Sequence, residues 1–165
     1  MLSKDLLEKA RKIKLVVTDI DGVWTDAKMY YTADGEFMKA FSTYDGMATY
    51  LLKQVGIPTA IITGEDSPPV AARAKKLKLD DVYIGIKDKL AVLEELLDKY
   101  HLSAEQVAYI GDDVNDYTVM QVAGLTASPS STPAFHILQP DILLDRVGGD
   151  GAFREFADLI ITAQK

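Results

Sequence analysis

The sequence predicts an α/β fold in which a parallel, doubly wound sheet is covered by helices on both faces. Three observations lead there. Short apolar runs recur at Leu15-Val16-Val17, Thr59-Ala60-Ile61-Ile62, Val82-Tyr83-Ile84 and Val107-Ala108-Tyr109-Ile110, and runs of this length bounded by turn signals read as buried strands. Between them lie stretches of helical period, with Met47, Leu51, Leu52 and Val55 in one and Leu90, Leu93, Leu96, Leu97 and Tyr100 in another. Strands that alternate with helices are joined by right-handed crossovers, which bury both faces of the sheet.

Each element has its own local signal. The charged stretch over residues 1–12 reads as a short amphipathic helix rather than a secretory signal. The first strand ends abruptly in Asp19, Asp21 and Gly22. Residues 28–42 change character: Met29 to Thr32 and Phe37 to Phe41 flank Asp34-Gly35, a strong hairpin signal. Asp45-Gly46 then opens a helix that Gly56-Ile57-Pro58 stops. The second strand ends in Thr63-Gly64, and Ser67 with Pro68 forms an N-cap and first helical position for a helix to about Leu77.

After the third strand, Asp88 is placed to cap the helix carrying Leu90 to Tyr100, and Ser103 with Gln106 forms a capping box. The fourth strand ends in Gly111-Asp112-Asp113. A helix over about 115–123 follows, with Gly124 as a left-handed stop. Leu125 to Ala127 is a fifth strand. A turn-rich loop, a short helix closed by Pro140, a sixth strand at Ile142 to Leu144 and a glycine loop at 148–151 lead to a last helix over 152–163. The whole is expected to be one Rossmann-like domain over residues 1–165 with an inserted β-hairpin.

Composition bounds the function. A chain of 165 residues with 48% hydrophobic and 26% charged residues is that of a soluble globular protein. A net charge of −7 gives no electrostatic footing for nucleic acid. There are no cysteines, which excludes disulfides and thiolate metal sites and fits a reducing compartment. No apolar run approaches the roughly 20 residues that cross a bilayer. A cytoplasmic protein without a membrane or nucleic-acid partner is expected.

Ligands of open α/β sheets bind at the carboxyl ends of the strands. That edge should hold Asp19, Asp21, Asp112 and Asp113, with Thr63 and Lys89. Four neighbouring acids cannot all stay ionised without a cation, and Mg²⁺ suits hard oxygen ligands together with a substrate phosphate. Lys89 and Thr63 suit the phosphate itself, one as a point charge and the other at a helix N-terminus. Asp19 or Asp21 is a candidate carboxylate nucleophile, and the other a general acid and base. The plainer readings are a helix cap for Asp-x-Asp and for Asp113, and a solvated lysine at 89 with Lys87 as its rival. His101 and His136 have no evident partners.

Asp19-Ile20-Asp21-Gly22-Val23, Thr63-Gly64, Lys89 and Gly111-Asp112-Asp113-Val114-Asn115-Asp116 resemble, in order, the four motifs of the haloacid dehalogenase superfamily. The resemblance implies that Asp19 is the nucleophile, and that Asp21 is the general acid and base with its backbone carbonyl on Mg²⁺. It implies that Thr63 and Lys89 hold the transferring phosphoryl group. Asp112 would ligate the metal beside Asp19 and Asp21, with Asp113 and Asp116 supporting from a second shell.

Val23-Trp24-Thr25-Asp26, the hairpin, Phe41 to Gly46 and Gly148 to Glu155 are similar to the 3-deoxy-manno-octulosonate (Kdo) 8-phosphate phosphatase family, the capless branch of that superfamily. Lys89 follows Gly64 by only 25 positions, which leaves no room for a lid domain. The resemblance implies a homotetramer in which hairpins associate and a neighbouring subunit closes each site. Exposed Tyr30, Tyr31, Phe37 and Phe41 would be an apolar patch that such an assembly covers.

Octulosonate-phosphate members commonly carry arginine after Thr-Gly, whereas this chain has Glu65. With Lys76, Glu65 resembles the sister branch acting on 2-keto-3-deoxy-nononate (KDN) 9-phosphate. Arg73 matches the arginine that binds the substrate carboxylate in both branches, a contact suited to a bidentate guanidinium. The expected substrate is therefore a 2-keto-3-deoxy sugar acid phosphate, leaning to nine carbons, bound by Gly64, Glu65, Arg73 and Lys76. The rivals are a broad sugar-phosphate phosphatase and a catalytically silent regulatory subunit.

Overall fold

The computed structural model describes residues 2–165. Its centre is strand β1 (Leu15–Thr18), fully buried, in a six-stranded sheet whose paired strands all run parallel. On one side β1 pairs with β4 (Thr59–Ile62), which pairs with β5 (Asp81–Tyr83). On the other side come β6 (Val107–Ile110), β7 (Leu125–Ser128) and β8 (Ile142–Leu143). Val17 faces Ala60 across one ladder and Tyr109 across the other. Strand order reverses at β1, so the crevice beyond its carboxyl end is the topological switch point.

Side chains alternate across the sheet as the period of two requires. Val16, Ile61, Ala108 and Ile110 face a layer with Trp24, Leu52, Phe153 and Phe156. Leu15, Val17, Ile62 and Tyr109 face the other, with Leu93, Leu96 and Val119. The first layer packs α1 (Lys4–Lys12), α2 (Thr43–Gln54) and α7 (Ala152–Ala163), and the second packs α4 (Lys89–Tyr100) and α5 (Tyr117–Met120). No helix among the described residues is long and apolar enough to cross a membrane.

The hairpin forms as a separate two-stranded antiparallel sheet, β2 (Tyr30–Thr32) and β3 (Gly35–Met38), shorter than expected from the pattern. Tyr31 and Phe37 are 62% and 58% exposed. Phe41 does not belong to that surface: it packs half-buried against the core, with the Arg73 guanidinium 6.0 Å from its ring centre.

Several ends differ from their local signals. Helix α2 starts at Thr43, because the Ser42 hydroxyl accepts from the Tyr44 N–H at 3.2 Å. Asp45 therefore lies inside the helix and turns its carboxylate to the start of α7, accepting from the Arg154 N–H at 3.0 Å. Ser67 precedes α3 (Pro68–Lys76) but does not cap it; its hydroxyl donates to Glu36 of the hairpin instead. The helix expected over 115–123 is a 3₁₀ turn at Val114–Asp116 followed by the single turn of α5. Gly124 is not left-handed. It is needed because a Cβ there would sit 2.3 Å from the Glu105 carbonyl oxygen. Asp88 does cap α4, accepting from the Ala91 N–H at 3.1 Å.

Candidate active site

Beyond β1 the chain turns back tightly, with the Ile20 carbonyl accepting from the Val23 and Trp24 N–H groups at 3.0 and 2.9 Å. The Trp24 indole donates to the Thr18 hydroxyl at 3.0 Å, and that hydroxyl donates to the Asp19 carbonyl at 2.6 Å. A buried aromatic thus pins the turn that carries Asp19 and Asp21. Thr63 follows β4, Lys89 opens α4, and Asp112 follows β6.

These ends meet. Carboxylate oxygens of Asp19, Asp112 and Asp116, all buried, lie within 4.8 Å of one another. Lys89 Nζ, itself buried, stands 3.0 Å from Asp19 Oδ1 and 2.8 Å from Asp116 Oδ1. Asp116 is the supporting member. Its Oδ1 also accepts from the Tyr109 hydroxyl at 2.5 Å, and its Oδ2 accepts from the N–H groups of Asp112 and Asp113 at 3.0 and 3.4 Å.

Three acids share one ammonium, and the surplus shows in their proton affinities. Burial, then the Asp116 charge, holds the Asp19 carboxyl well above the usual range, although Lys89 opposes it. Burial and the same neighbour push Asp112 up to about 7. Burial works against the Lys89 ammonium, but Asp19 and Asp116 outweigh it and raise its pKa. Hard oxygens crowded in this way fit a divalent cation such as Mg²⁺, which removes the repulsion that now favours protons.

Of the four acids expected at the strand-end edge, Asp19 and Asp112 join the cluster with Asp116, whereas the side chains of Asp21 and Asp113 do not. Asp21 turns its side chain to Lys39, whose Nζ donates to Oδ1 at 2.5 Å. Asp113 is exposed and accepts from the Val114 N–H at 2.7 Å, which is a capping role. A pocket of about 230 Å³ opens over the cluster, lined by Asp19, Asp21, Thr63, Glu65, Asp112 and Asn115 among others. Gly64 also lines it, whereas Arg73 and Lys76 do not. Arg73 lies over Phe41 near Gly46, and Lys76 is exposed at the end of α3. The Thr63 hydroxyl is buried and has no hydrogen-bond partner among the described residues, which leaves it able to bond a ligand oxygen.

A larger cavity of about 790 Å³ lies beside α1 and α7, lined by Arg146, Arg154 and Asp158 among others. Arg154 there pairs with Asp158 at 2.9 Å, so it is a helix-surface residue in this chain. The chemistry sits in the smaller pocket, where buried acids converge. Lys39 and Glu36 escaped the reading of the sequence, and Asn115 figures in it only as part of a motif, without a role. The one available hint was a lysine inside the apolar run 37–41.

Comparison with known proteins agrees with this arrangement. Residues 34–124 match the haloacid dehalogenase-like hydrolase family model. The chain is 36% identical over 163 residues to the Escherichia coli 3-deoxy-D-manno-octulosonate 8-phosphate phosphatase KdsC, covering 99% of this chain and 87% of that protein. It is similar to the crystal structure of the Moraxella catarrhalis phosphatase of the same name, in complex with a magnesium ion, a phosphate ion and KDO. The TM-score is 0.93 at 37% identity, over 99% of this chain and 94% of the other. A cobalt-bound form of the Haemophilus influenzae enzyme gives 0.91 at 36% identity, over 94% and 91%.

The chain belongs to the haloacid dehalogenase-like hydrolases, in the branch of the Kdo 8-phosphate phosphatases. It is a phosphoric monoester hydrolase, and its cluster of buried carboxylates could hold a metal ion.

Proposed function

We propose that this enzyme hydrolyses the phosphate ester of a 3-deoxy-ulosonic acid, Kdo 8-phosphate first among them, through an aspartyl phosphate on Asp19. The observation that carries the reading is the convergence at one pocket of buried Asp19, its partner Lys89 at 3.0 Å, Asp112 and the unpartnered Thr63 hydroxyl. High-coverage relatives that bear the Kdo 8-phosphate phosphatase name support the substrate.

Asp19 attacks phosphorus as the sugar oxygen leaves, and Asp21 supplies the proton that oxygen needs. Asp21 then takes a proton from the water that attacks the phosphorylated Asp19. Lys89 and Thr63 hold the non-bridging phosphoryl oxygens, and Asp116 keeps Lys89 and the Asp112 backbone in place. Asp19, Asp112 and the Asp21 carbonyl would hold Mg²⁺. When bound, it supplies charge neutralisation and polarisation of the phosphoryl group.

A nine-carbon substrate is the second reading, favoured by Glu65 at the pocket wall, where it could accept hydrogen bonds from extra hydroxyls. Exposed Tyr31 and Phe37 support a homotetramer joined through its hairpins. The decisive measurement is kcat/KM for Kdo 8-phosphate and KDN 9-phosphate side by side with Mg²⁺. A preference for the nine-carbon ester would replace the first reading by the second. Asp19→Asn should abolish turnover of both, and retained activity would end the covalent mechanism.

A further inference from the structure

Asp21 stands apart from the Asp19, Asp112 and Asp116 cluster, and its side chain is 23% exposed. An aspartate at such a rim has several rotamers open to it. Here one oxygen is taken: Lys39 Nζ donates to Oδ1 at 2.5 Å, while Oδ2 makes no hydrogen bond to any described residue.

Lys39 is itself held. Its side chain is 0% exposed, and its second partner is Glu36 Oε2 at 3.3 Å. Glu36 Oε1 accepts from the Ser67 hydroxyl at 2.7 Å. Four side chains from three segments therefore form one line: Asp21 from the turn after β1, Lys39 and Glu36 from the hairpin, and Ser67 from the start of α3. Burial opposes the Lys39 ammonium, but the two carboxylates outweigh it and keep it charged. A buried ion pair of this kind gives little net stability, because desolvation offsets the attraction. What it does give is fixed geometry.

We propose that Lys39 is a positioning residue that ties Asp21 by Oδ1 and so presents Oδ2 to the leaving-group oxygen. This rests on the reading of Asp21 as proton carrier. In the first half-reaction Asp21 enters protonated on Oδ2, with Oδ1 still on Lys39. The bond from Asp19 to phosphorus forms, the bond from phosphorus to the sugar oxygen breaks, and that proton passes from Oδ2 to the oxygen. In the second, water oxygen bonds to phosphorus, Asp19 leaves, and the proton of the water returns to Oδ2. The hairpin thus supplies part of the catalytic apparatus. Ser67 and Glu36 couple its position to the helix that follows Thr63.

The leaving group provides the test. A sugar alkoxide needs a proton to depart, whereas para-nitrophenolate hardly does, so in the first half-reaction, the one kcat/KM reports, a misplaced acid is felt by the first substrate only. Lys39→Met keeps the length and apolar volume of the side chain. It should lower kcat/KM for the sugar phosphate about 100-fold, the usual worth of a positioned general acid. The value for para-nitrophenyl phosphate should stay within about threefold.

Equal losses on both substrates, or no loss on either, would overturn the role of Lys39. Glu36→Gln and Ser67→Ala loosen the same line without emptying the lysine site. They should show the same selectivity at smaller size even if Lys39→Met fails to fold; uniform effects from both would equally overturn the proposal. Asp21→Asn, run in parallel, separates the two readings. If it selects between leaving groups and Lys39→Met does not, only the positioning role falls. If it does not select, the assignment of Asp21 falls with it.

Discussion

Gly22 leaves the space that the Asp112 carboxylate occupies: a Cβ on residue 22 would lie 1.7 Å from Asp112 Oδ2. The residue also has φ 82°, a left-handed conformation that side chains rarely adopt. Two loops from neighbouring strand ends are therefore fitted together at the acid cluster.

Gly22→Ala should accordingly displace Asp112 by close to an ångström while the core stays folded. A misplacement of that size typically lowers turnover about 100-fold. Steady-state kinetics with a magnesium titration would check this. Wild-type kcat/KM at saturating metal would show that the fit is not functional.

The acid cluster makes stability depend on pH and metal together. Asp19 and Asp112 have folded-state pKa values above their ordinary ones, Asp112 at about 7. Their contribution is complete below the ordinary carboxyl pKa near 4 and is lost as pH rises through the folded values. Metal-free protein should therefore lose Tm between pH 5 and 8. Added Mg²⁺ binds the deprotonated acids and should raise Tm by roughly 3 °C or more at pH 8 than it does at pH 5. Scanning calorimetry after chelation tests this, and a metal effect that shrinks with rising pH would contradict it.

A second, metal-independent group titrates in the same direction. Burial raises Asp45 to about 6, partly offset by backbone N–H groups at the start of α7, Arg154 first, with Asp150 adding to the rise. The difference from an ordinary aspartate is worth roughly 3 kcal/mol, present below about pH 4 and lost as pH passes 6. Asp45→Asn should flatten denaturant-derived stability across this window while activity persists. Parallel curves for the two proteins would show that Asp45 is not the titrating group.

The hairpin aromatics supply a test of assembly. Sedimentation equilibrium should show a tetramer for the unaltered chain and smaller species for a Tyr31→Asp, Phe37→Asp double variant. The smaller species should also have lower kcat/KM, because each site loses its neighbour. A monomeric unaltered chain would remove the assembly from the proposal.

Much of the site is legible along the chain because parallel strands deliver their carboxyl ends to one edge. Asp19, Thr63, Lys89 and Asp112 each follow a strand or open a helix, so a correct reading of the elements brings them together. Lys39 and Glu36 are not legible in this way. They reach Asp21 only through the pose of a hairpin outside the main sheet, and nothing in the spacing of residues 21, 36, 39 and 67 encodes that contact. Arg73 shows the reverse: the family resemblance implies a carboxylate ligand, yet in the single chain it packs over Phe41 and does not line the pocket.

By itself the sequence determined the sheet and its helical cover and pointed to the candidate reacting acids, since apolar period and strand-end chemistry are local properties. The motif resemblance also implied Asp112 at the metal with Asp116 in support. Tertiary structure gives that division a physical basis. Asp116 is encircled by Lys89, Tyr109 and two backbone N–H groups, so its lone pairs are spent, whereas Asp19 and Asp112 keep oxygens free. The division of labour among neighbouring carboxylates depends on which donors the fold brings to each, and those donors come from segments far apart in the chain.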